Sequence, residues 1–141
     1  MSESIPTVKT LKELERLVGP DRYLRVSSGP DDDAGRTSRD YESGLELPGL
    51  SVNPLMPATW WTRPRNEWLA RQMCNYVHLA EEAPDRHAWV LAGDIVARGP
   101  DNEPIVARFE PIAWIADEVL DEAKELYGQR FDVAEDSTPD D

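Results

Sequence analysis

The apolar residues of this chain come in short runs, and most of these runs end at a proline or a glycine. Proline lacks the backbone N–H that helix interiors and central strands need, and glycine readily leaves regular structure. The 12 prolines and 8 glycines therefore divide the 141 residues into many short elements. A chain of this length is typical of one domain with a single core. We expect a single domain built of short helices and strands.

Three segments carry apolar residues at helical spacing, next to residues that favour helix ends. The first opens with a capping box, Thr10 followed by Glu13. From cap to helix breaker, the three segments run from Thr10 to Gly19, from Thr62 to Pro84 and from Asp117 to Gly128. These patterns predict three amphipathic helices.

Five other segments are typical of strands. In the clearest one, Leu24 and Val26 alternate with Tyr23, Arg25 and Ser27, as the residues of a half-buried strand do. The other four are Gly49–Asn53, Trp89–Ala92, Ile105–Phe109 and Ile112–Ile115, the last two separated by Pro111. We therefore predict an α+β fold with a small, mainly antiparallel sheet and about three helices.

The two chain ends and one internal segment fall outside this pattern. Residues 1–6 are expected to form a loose lead, and the acidic residues 129–141, with little apolar content, are expected to form a disordered tail. Residues 28–44 are rich in Gly, Asp and Ser and predict a long loop, a feature that is often functional. The single α+β domain is expected over residues 7–128.

The charge balance restricts the partners. A formal net charge of −13 repels a phosphate backbone, so we expect no direct binding of nucleic acid. Cys74 is the only cysteine, which excludes an internal disulfide and a cysteine-based zinc site. No apolar run approaches the ~20 residues that cross a bilayer, and the N-terminus lacks the pattern of a secretion signal. We expect an acidic cytoplasmic protein with no membrane partner.

Common catalytic and metal-binding motifs are not matched. Gly49–Asn53 is one residue short of the serine hydrolase elbow, and Pro54 stands where that motif needs a helix to begin. His78 and His87 do not form a metal-spaced pair. Residues 31–33, three aspartates, lack the other ligands of a calcium loop and are interpreted as a solvated turn. No metal is expected.

Three polar residues stand in or beside predicted strands. Arg25 alternates with apolar neighbours, Ser51 lies between Leu50 and Val52, and Glu103 precedes an apolar strand. Each has a structural explanation: Arg25 as a surface strand residue, Ser51 as a small residue in a tight corner, and Glu103 as a turn carboxylate. The order of the three along the chain also allows a functional explanation.

The strings at residues 41–44 (Tyr-Glu-Ser-Gly), 47–55 (Leu-Pro-Gly-Leu-Ser-Val-Asn-Pro-Leu) and 99–104 (Gly-Pro-Asp-Asn-Glu-Pro) resemble an uncharacterised bacterial family, a domain of unknown function. The resemblance spans most of residues 7–128. It implies a family membership and no activity, because none is assigned to that family.

An Arg on a first strand, a Ser on a second strand and a Glu at the head of a late strand also resemble the ADP-ribosyltransferase fold. The resemblance implies that Arg25 holds the dinucleotide, that Ser51 is the serine of the second strand, and that Glu103 is catalytic. Asp101 would take the upstream acidic or amide position. The chain departs from that fold family where Leu50-Ser51-Val52 replaces Ser-Thr-Ser.

NAD is the cofactor that this second resemblance implies. Breaking its nicotinamide–ribose bond develops a cation that a fixed carboxylate such as Glu103 stabilises, while an Arg fork such as Arg25 grips the pyrophosphate. Tyr41, Trp60 or Trp61 would stack on the nicotinamide or adenine ring.

The alternative is a non-catalytic protein-binding or regulatory domain that uses an aromatic surface around Trp60 and Trp61, together with Trp68. Tryptophan is enriched at interface hot spots, but it is also common in cores. The exposure of Trp60 and Trp61 therefore discriminates between a binding surface and simple packing. The expected partner is a small nucleotide or a protein, and the oligomeric state is left open.

Overall fold

The structure is a computed structural model that describes residues 5–34, 36–39, 42–74, 86–100 and 102–137, with side chains as far as Gln129. Of the residues singled out above, Tyr41, His78, Pro84 and Asp101 lie outside these ranges. The expectations for residues 1–4 and 138–141 also lie outside them.

Within the described ranges the chain forms four helices and six strands. The helices are α1 (Leu11–Glu15), α2 (Pro30–Asp33), α3 (Arg65–Cys74) and α4 (Asp117–Ser137). The strands are β1 (Thr7–Val8), β2 (Arg22–Ser27), β3 (Leu50–Ser51), β4 (Asn53–Pro54), β5 (His87–Arg98) and β6 (Pro104–Ile115). The short helix α2 lies inside the segment that was predicted to be a loop.

The strands form one curled sheet. Its order is β1-β6-β5-β2-β4, and β3 also pairs with β6. All these pairings are antiparallel except that of β1 with β6. The predicted α+β class with a mainly antiparallel sheet in one domain is confirmed.

The short segment Leu50–Pro54 closes the sheet on itself. Its first part, β3, pairs with β6, and its last part, β4, pairs with β2. Between them, the Val52 N–H donates to the carbonyl of Pro104 at 3.1 Å. Gly49 precedes the segment, and a Cβ at that position would come within 2.7 Å of the Val106 carbonyl carbon. Glycine is therefore required where the closing segment approaches β6.

Each face of the sheet buries its own apolar cluster. The helix-side cluster includes residues of α1, α3 and α4: Val8, Leu11, Leu14, Leu24, Leu55, Trp68, Leu69, Ala70, Met73, Ala88, Val90, Ala113, Ile115, Val119 and Ala123. The inner cluster lies on the other face, inside the closure: Tyr23, Leu50, Val52, Trp89, Leu91 and Val106. The alternation in β2 predicted correctly that Leu24 and Tyr23 face opposite sides.

The hairpin of β5 and β6 is longer than the sequence predicted. Where the two strands join, the Asn102 N–H donates to the Gly99 carbonyl at 2.9 Å, and Asn102 adopts a left-handed φ of 64°. The prediction of two strands separated by Pro111 is wrong, because β6 continues through that proline. Val90 pairs with Ala113 and Leu91 with Pro111, so Ile112 is the extra residue of a β-bulge. The bulge lets β6 carry a proline without ending.

The helix ends were predicted with mixed success. The N-cap half of the capping box is confirmed, since the Glu13 N–H donates to Thr10 Oγ1 at 3.0 Å. The Glu13 carboxylate accepts from the Lys9 N–H, at 2.7 Å. The predicted end of the last helix at Gly128 is wrong, because α4 continues to Ser137. An interior glycine costs about 1 kcal/mol and does not by itself end a helix. The small contribution of residues 129–141 to stability stays a prediction.

No helix among the described residues is both long and apolar enough to span a membrane.

Replacing Leu69 tests the packing of α3. Leu69 is fully buried in the helix-side cluster, so Leu69→Ala should lower the free energy of unfolding by about 2–5 kcal/mol. Leu45 is 68% exposed, and Leu45→Ala should change the free energy of unfolding by less than about 0.5 kcal/mol. Denaturant unfolding of both variants measures the difference. Equal effects would show that α3 does not pack as described.

Candidate functional site

Arg25 ties three separate elements together on the inner face of the sheet. It lies on β2 opposite Trp89 of β5, and the alternation of β2 places it on the face of the inner cluster. Its Nε donates to Asp33 Oδ2 at 2.7 Å, and its Nη1 donates to the Ser51 carbonyl at 2.8 Å. The Arg25 and Asp33 side chains are only 18% and 9% exposed, so this is a largely buried ion pair.

Asp33 belongs to a network that the sequence did not predict. Ser27 Oγ donates to Asp33 Oδ2 at 2.6 Å and accepts from Trp89 Nε1 at 2.9 Å. The interpretation of residues 31–33 as a solvated turn is therefore wrong for Asp33, because α2 turns this carboxylate inward toward Arg25. Gly29, at φ 129°, precedes α2, and a Cβ there would meet Trp114 at 2.7 Å.

Ser51 extends the network to the β5–β6 turn. Its N–H donates to Ser38 Oγ at 2.9 Å, and its Oγ donates to Glu103 Oε2 at 3.2 Å. The Glu103 carboxylate lies over Gly99, where a Cβ would come within 2.6 Å of Glu103 Oε1. Arg25, Ser51 and Glu103 are thus brought together in one hydrogen-bonded chain.

This convergence follows from the closure of the sheet. The segment Leu50–Pro54 crosses the inner face of the sheet. The Ser51 carbonyl therefore lies within hydrogen-bond distance of Arg25, and the Ser51 hydroxyl lies within hydrogen-bond distance of Glu103. The Arg25 guanidinium is already held by a carboxylate and a carbonyl, so its charge is largely compensated within the protein. The arrangement fastens β2, α2, β3 and the hairpin turn to each other.

Tyr23, two residues before Arg25, is a buried titratable side chain on the same face of the sheet. Burial raises the pKa of its hydroxyl above the ordinary value, the Asp21 and Asp94 carboxylates raise it further, and Arg98 lowers it. The hydroxyl donates to the Pro20 carbonyl at 3.4 Å. Because the unfolded chain ionises first as the pH rises above about 10, this group reduces stability only at high pH.

The tryptophans at 60, 61 and 68 form a second feature, on the helix side of the sheet. Trp60 is 67% exposed, Trp61 is partly buried, and Trp68 belongs to the helix-side cluster. Their ring centroids are 6.1 Å apart for Trp60 and Trp61, 6.3 Å for Trp60 and Trp68, and 5.2 Å for Trp61 and Trp68. All three contacts are edge-to-face, a favourable geometry for aromatic pairs.

Hydrogen bonds fix the two tryptophans that support Trp60. Trp61 Nε1 donates to the Pro64 carbonyl at 3.2 Å, and Trp68 Nε1 donates to the Pro54 carbonyl at 3.4 Å. The structure therefore does not bring Trp60 to Arg25, because Trp60 stands on the helix side and Arg25 faces the inner cluster. Tyr41, the other predicted stacking residue, lies outside the described residues.

A groove of about 350 Å³ lies between α1, the start of α3 and α4. Leu11 and Leu126 contribute apolar surface, and Glu15, Glu122 and Glu125 contribute carboxylates. Glu122 Oε1 accepts from the Leu11 N–H at 2.8 Å, so this carboxylate also caps the start of α1. The groove is acidic, like the chain as a whole. Within the described part of the chain, no group of three or more His, Cys, Asp or Glu side chains is placed to hold a metal ion.

The fold and these features define a small α+β domain whose sheet is closed by a short segment and whose helix side presents a tryptophan. The chain belongs to the family of unknown function DUF6098, whose sequence pattern matches residues 1–138. No curated protein and no solved structure matches the chain. The predicted membership of a domain-of-unknown-function family is confirmed, and the resemblance to ADP-ribosyltransferases is not shown.

Asp33→Asn tests whether the Arg25 network is structural. The amide removes the charge that compensates the buried Arg25, so the free energy of unfolding should fall by about 3 kcal/mol. Asp32→Asn changes the same charge at an exposed neighbour and should cost less than about 0.5 kcal/mol. Adding Arg25→Met to Asp33→Asn should recover part of the loss. An Asp33→Asn variant whose free energy of unfolding is close to that of the wild type would contradict a structural role for the network.

Proposed function

We propose that this protein is a non-catalytic binding domain that holds a segment of a protein partner at an aromatic surface. This surface consists of Trp60 and Trp61, with Trp68 behind them. The observation that carries the proposal is the exposure of Trp60, which is 67% exposed while its ring stands edge-on to the other two. Exposure of this residue is what separates a binding surface from core packing.

The energetics favour binding at this surface. A tryptophan ring offers a large apolar contact area at little cost in side-chain entropy, which is why it is enriched at interface hot spots. Trp61 and Trp68 are held by the Pro64 and Pro54 carbonyls, so the support of Trp60 is ordered before a partner arrives. Met56, 42% exposed, adds a soft apolar side chain close in sequence. Preorganised contacts of this kind lower the cost of association.

Selection from a phage-displayed library of random peptides tests the proposal without a known partner. The wild-type domain should enrich peptides with an apolar or aromatic anchor, and Trp60→Ala should lose them because the anchor loses its contact. The Trp60 variant should keep the wild-type Tm, since its ring is mostly exposed. Leu45→Ala removes an equally exposed apolar side chain outside the aromatic surface and should retain the peptides. Enrichment that is identical with and without Trp60 would contradict the proposal.

A second candidate function is NAD binding at Arg25, Ser51 and Glu103. Its support is the hydrogen-bonded chain that joins these three residues. To grip a pyrophosphate, Arg25 would have to exchange the Asp33 carboxylate for the ligand, which is the physical cost of this candidate. The aromatic surface bears no such cost and is therefore the first proposal.

Titration with NAD separates the two candidates. If Arg25 grips the dinucleotide, millimolar NAD raises the Tm of the wild type, and Glu103→Gln retains this shift but abolishes release of nicotinamide, because the amide cannot stabilise the developing cation. Calorimetry and a nicotinamide assay measure both effects. Absence of heat and of a thermal shift at millimolar NAD eliminates this candidate.

A further inference from the structure

We infer that the segment bound at the aromatic surface is acidic, an inference that rests on the proposed function. Residues 55–74, which include the three tryptophans, contain Arg63, Arg65 and Arg71 and a single acidic residue, Glu67. The remaining residues carry the other 27 of the 28 acidic and 12 of the 15 basic residues. The aromatic surface is therefore part of a locally basic segment in a strongly acidic protein.

Two of these arginines are positioned by contacts that the structure defines. The Arg71 guanidinium carbon lies 5.9 Å from the centroid of the Trp61 ring, within the range of a cation–π contact. Arg63 Nε donates to Glu67 Oε1 at 2.8 Å, and the Glu67 side chain is only 8% exposed. The acidic residue of the segment is therefore buried against Arg63, and Arg71 places a positive charge against the Trp61 ring.

Arg65 adds a third positive charge at the first residue of α3, where its side chain is exposed. Tryptophan and arginine are both enriched at interface hot spots, and guanidinium groups bind carboxylates through paired hydrogen bonds. A segment with an apolar anchor next to Asp or Glu residues would contact Trp60 with the anchor and the Arg71 guanidinium beside Trp61 with a carboxylate. Basic segments would meet the same arginines and be repelled.

Single-stranded nucleic acid is recognised by the same residue types, through base stacking and phosphate contacts. The net charge of −13 opposes the approach of a polyanion, because it acts over the whole length of a phosphate backbone. A short acidic peptide carries few charges and is repelled much less. The balance of local attraction and global repulsion therefore favours the peptide.

The composition of the selected peptides is the test. Peptides that depend on Trp60 should contain more Asp and Glu, and less Lys and Arg, than the unselected library. The most enriched peptide, labelled with fluorescein, should bind the wild type at least about tenfold more tightly than a copy in which Asn and Gln replace Asp and Glu. The difference in affinity between the two peptides should become smaller as NaCl is raised from about 0.05 to about 0.5 M, because salt screens exposed charges.

Arginine variants assign the charge effect to the aromatic surface. Arg71→Glu and Arg65→Glu should each lower the affinity for the peptide that contains Asp and Glu several-fold. Neither variant should change the affinity for the copy that contains Asn and Gln instead. Arg108→Glu makes the same charge change at an exposed position on β6 and should have no effect. The Arg65 variant keeps the test valid if the Arg71 variant disturbs the packing of Trp61.

The outcomes distinguish the inference from the proposed function. Trp60-dependent peptides without an excess of Asp and Glu would overturn the inference and leave the binding surface intact. A lack of Trp60-dependent peptides would overturn both. Binding of a labelled oligo-dT at Trp60 that exceeds binding of the acidic peptide would also overturn the inference. A Lys-rich peptide whose binding depends on Trp60 would likewise overturn the inferred preference.

Discussion

Closure of the sheet by Leu50–Pro54 is the constraint on which most of the structure depends. This segment pairs with β6 at one end and with β2 at the other, so it joins the two strands that flank β5 in the sheet order. The closure buries Val52 and Leu50 against Trp89 inside the curl. It also places the Pro54 carbonyl where Trp68 Nε1 and Gln72 Nε2 of α3 donate to it, at 3.4 and 3.0 Å. One short segment thus sets the positions of both apolar clusters.

The Arg25 network has a structural explanation in the same closure. Arg25 holds the Ser51 carbonyl of the closing segment, and Asp33 compensates the charge that this contact buries. Ser27 and Trp89 complete the set of donors and acceptors, as buried polar groups require. Arg25, Ser51 and Glu103 thereby fasten strands that would otherwise be held by few hydrogen bonds.

The sequence predicted the local features of this fold and missed those that depend on distant partners. Thr10 and Glu13 predict where α1 begins, and the alternation in β2 predicts which of its residues share a face of the sheet. Both signals lie within a few residues of the chain. The continuity of β6 through Pro111 depends on a bulge opposite β5, and the inward position of Asp33 depends on Arg25. No local pattern contains either. The exposure of Trp60 likewise depends on how Trp61 and Trp68 pack, which the spacing of the three residues does not determine.

Two surfaces on opposite sides of the sheet are therefore assigned different roles, the inner network to stability and the aromatic surface to binding. The five tryptophan indole N–H groups report on both, since Trp60 and Trp61 belong to the aromatic surface and Trp89 Nε1 donates to Ser27 in the inner network. A ¹⁵N–¹H spectrum recorded during titration with the selected peptide, and separately with NAD, follows them individually. We predict that the peptide shifts the Trp60 and Trp61 signals and leaves the Trp89 signal in place. NAD is expected to shift none of the three signals. A peptide titration that moves the Trp89 signal while the Trp60 signal stays fixed would contradict it.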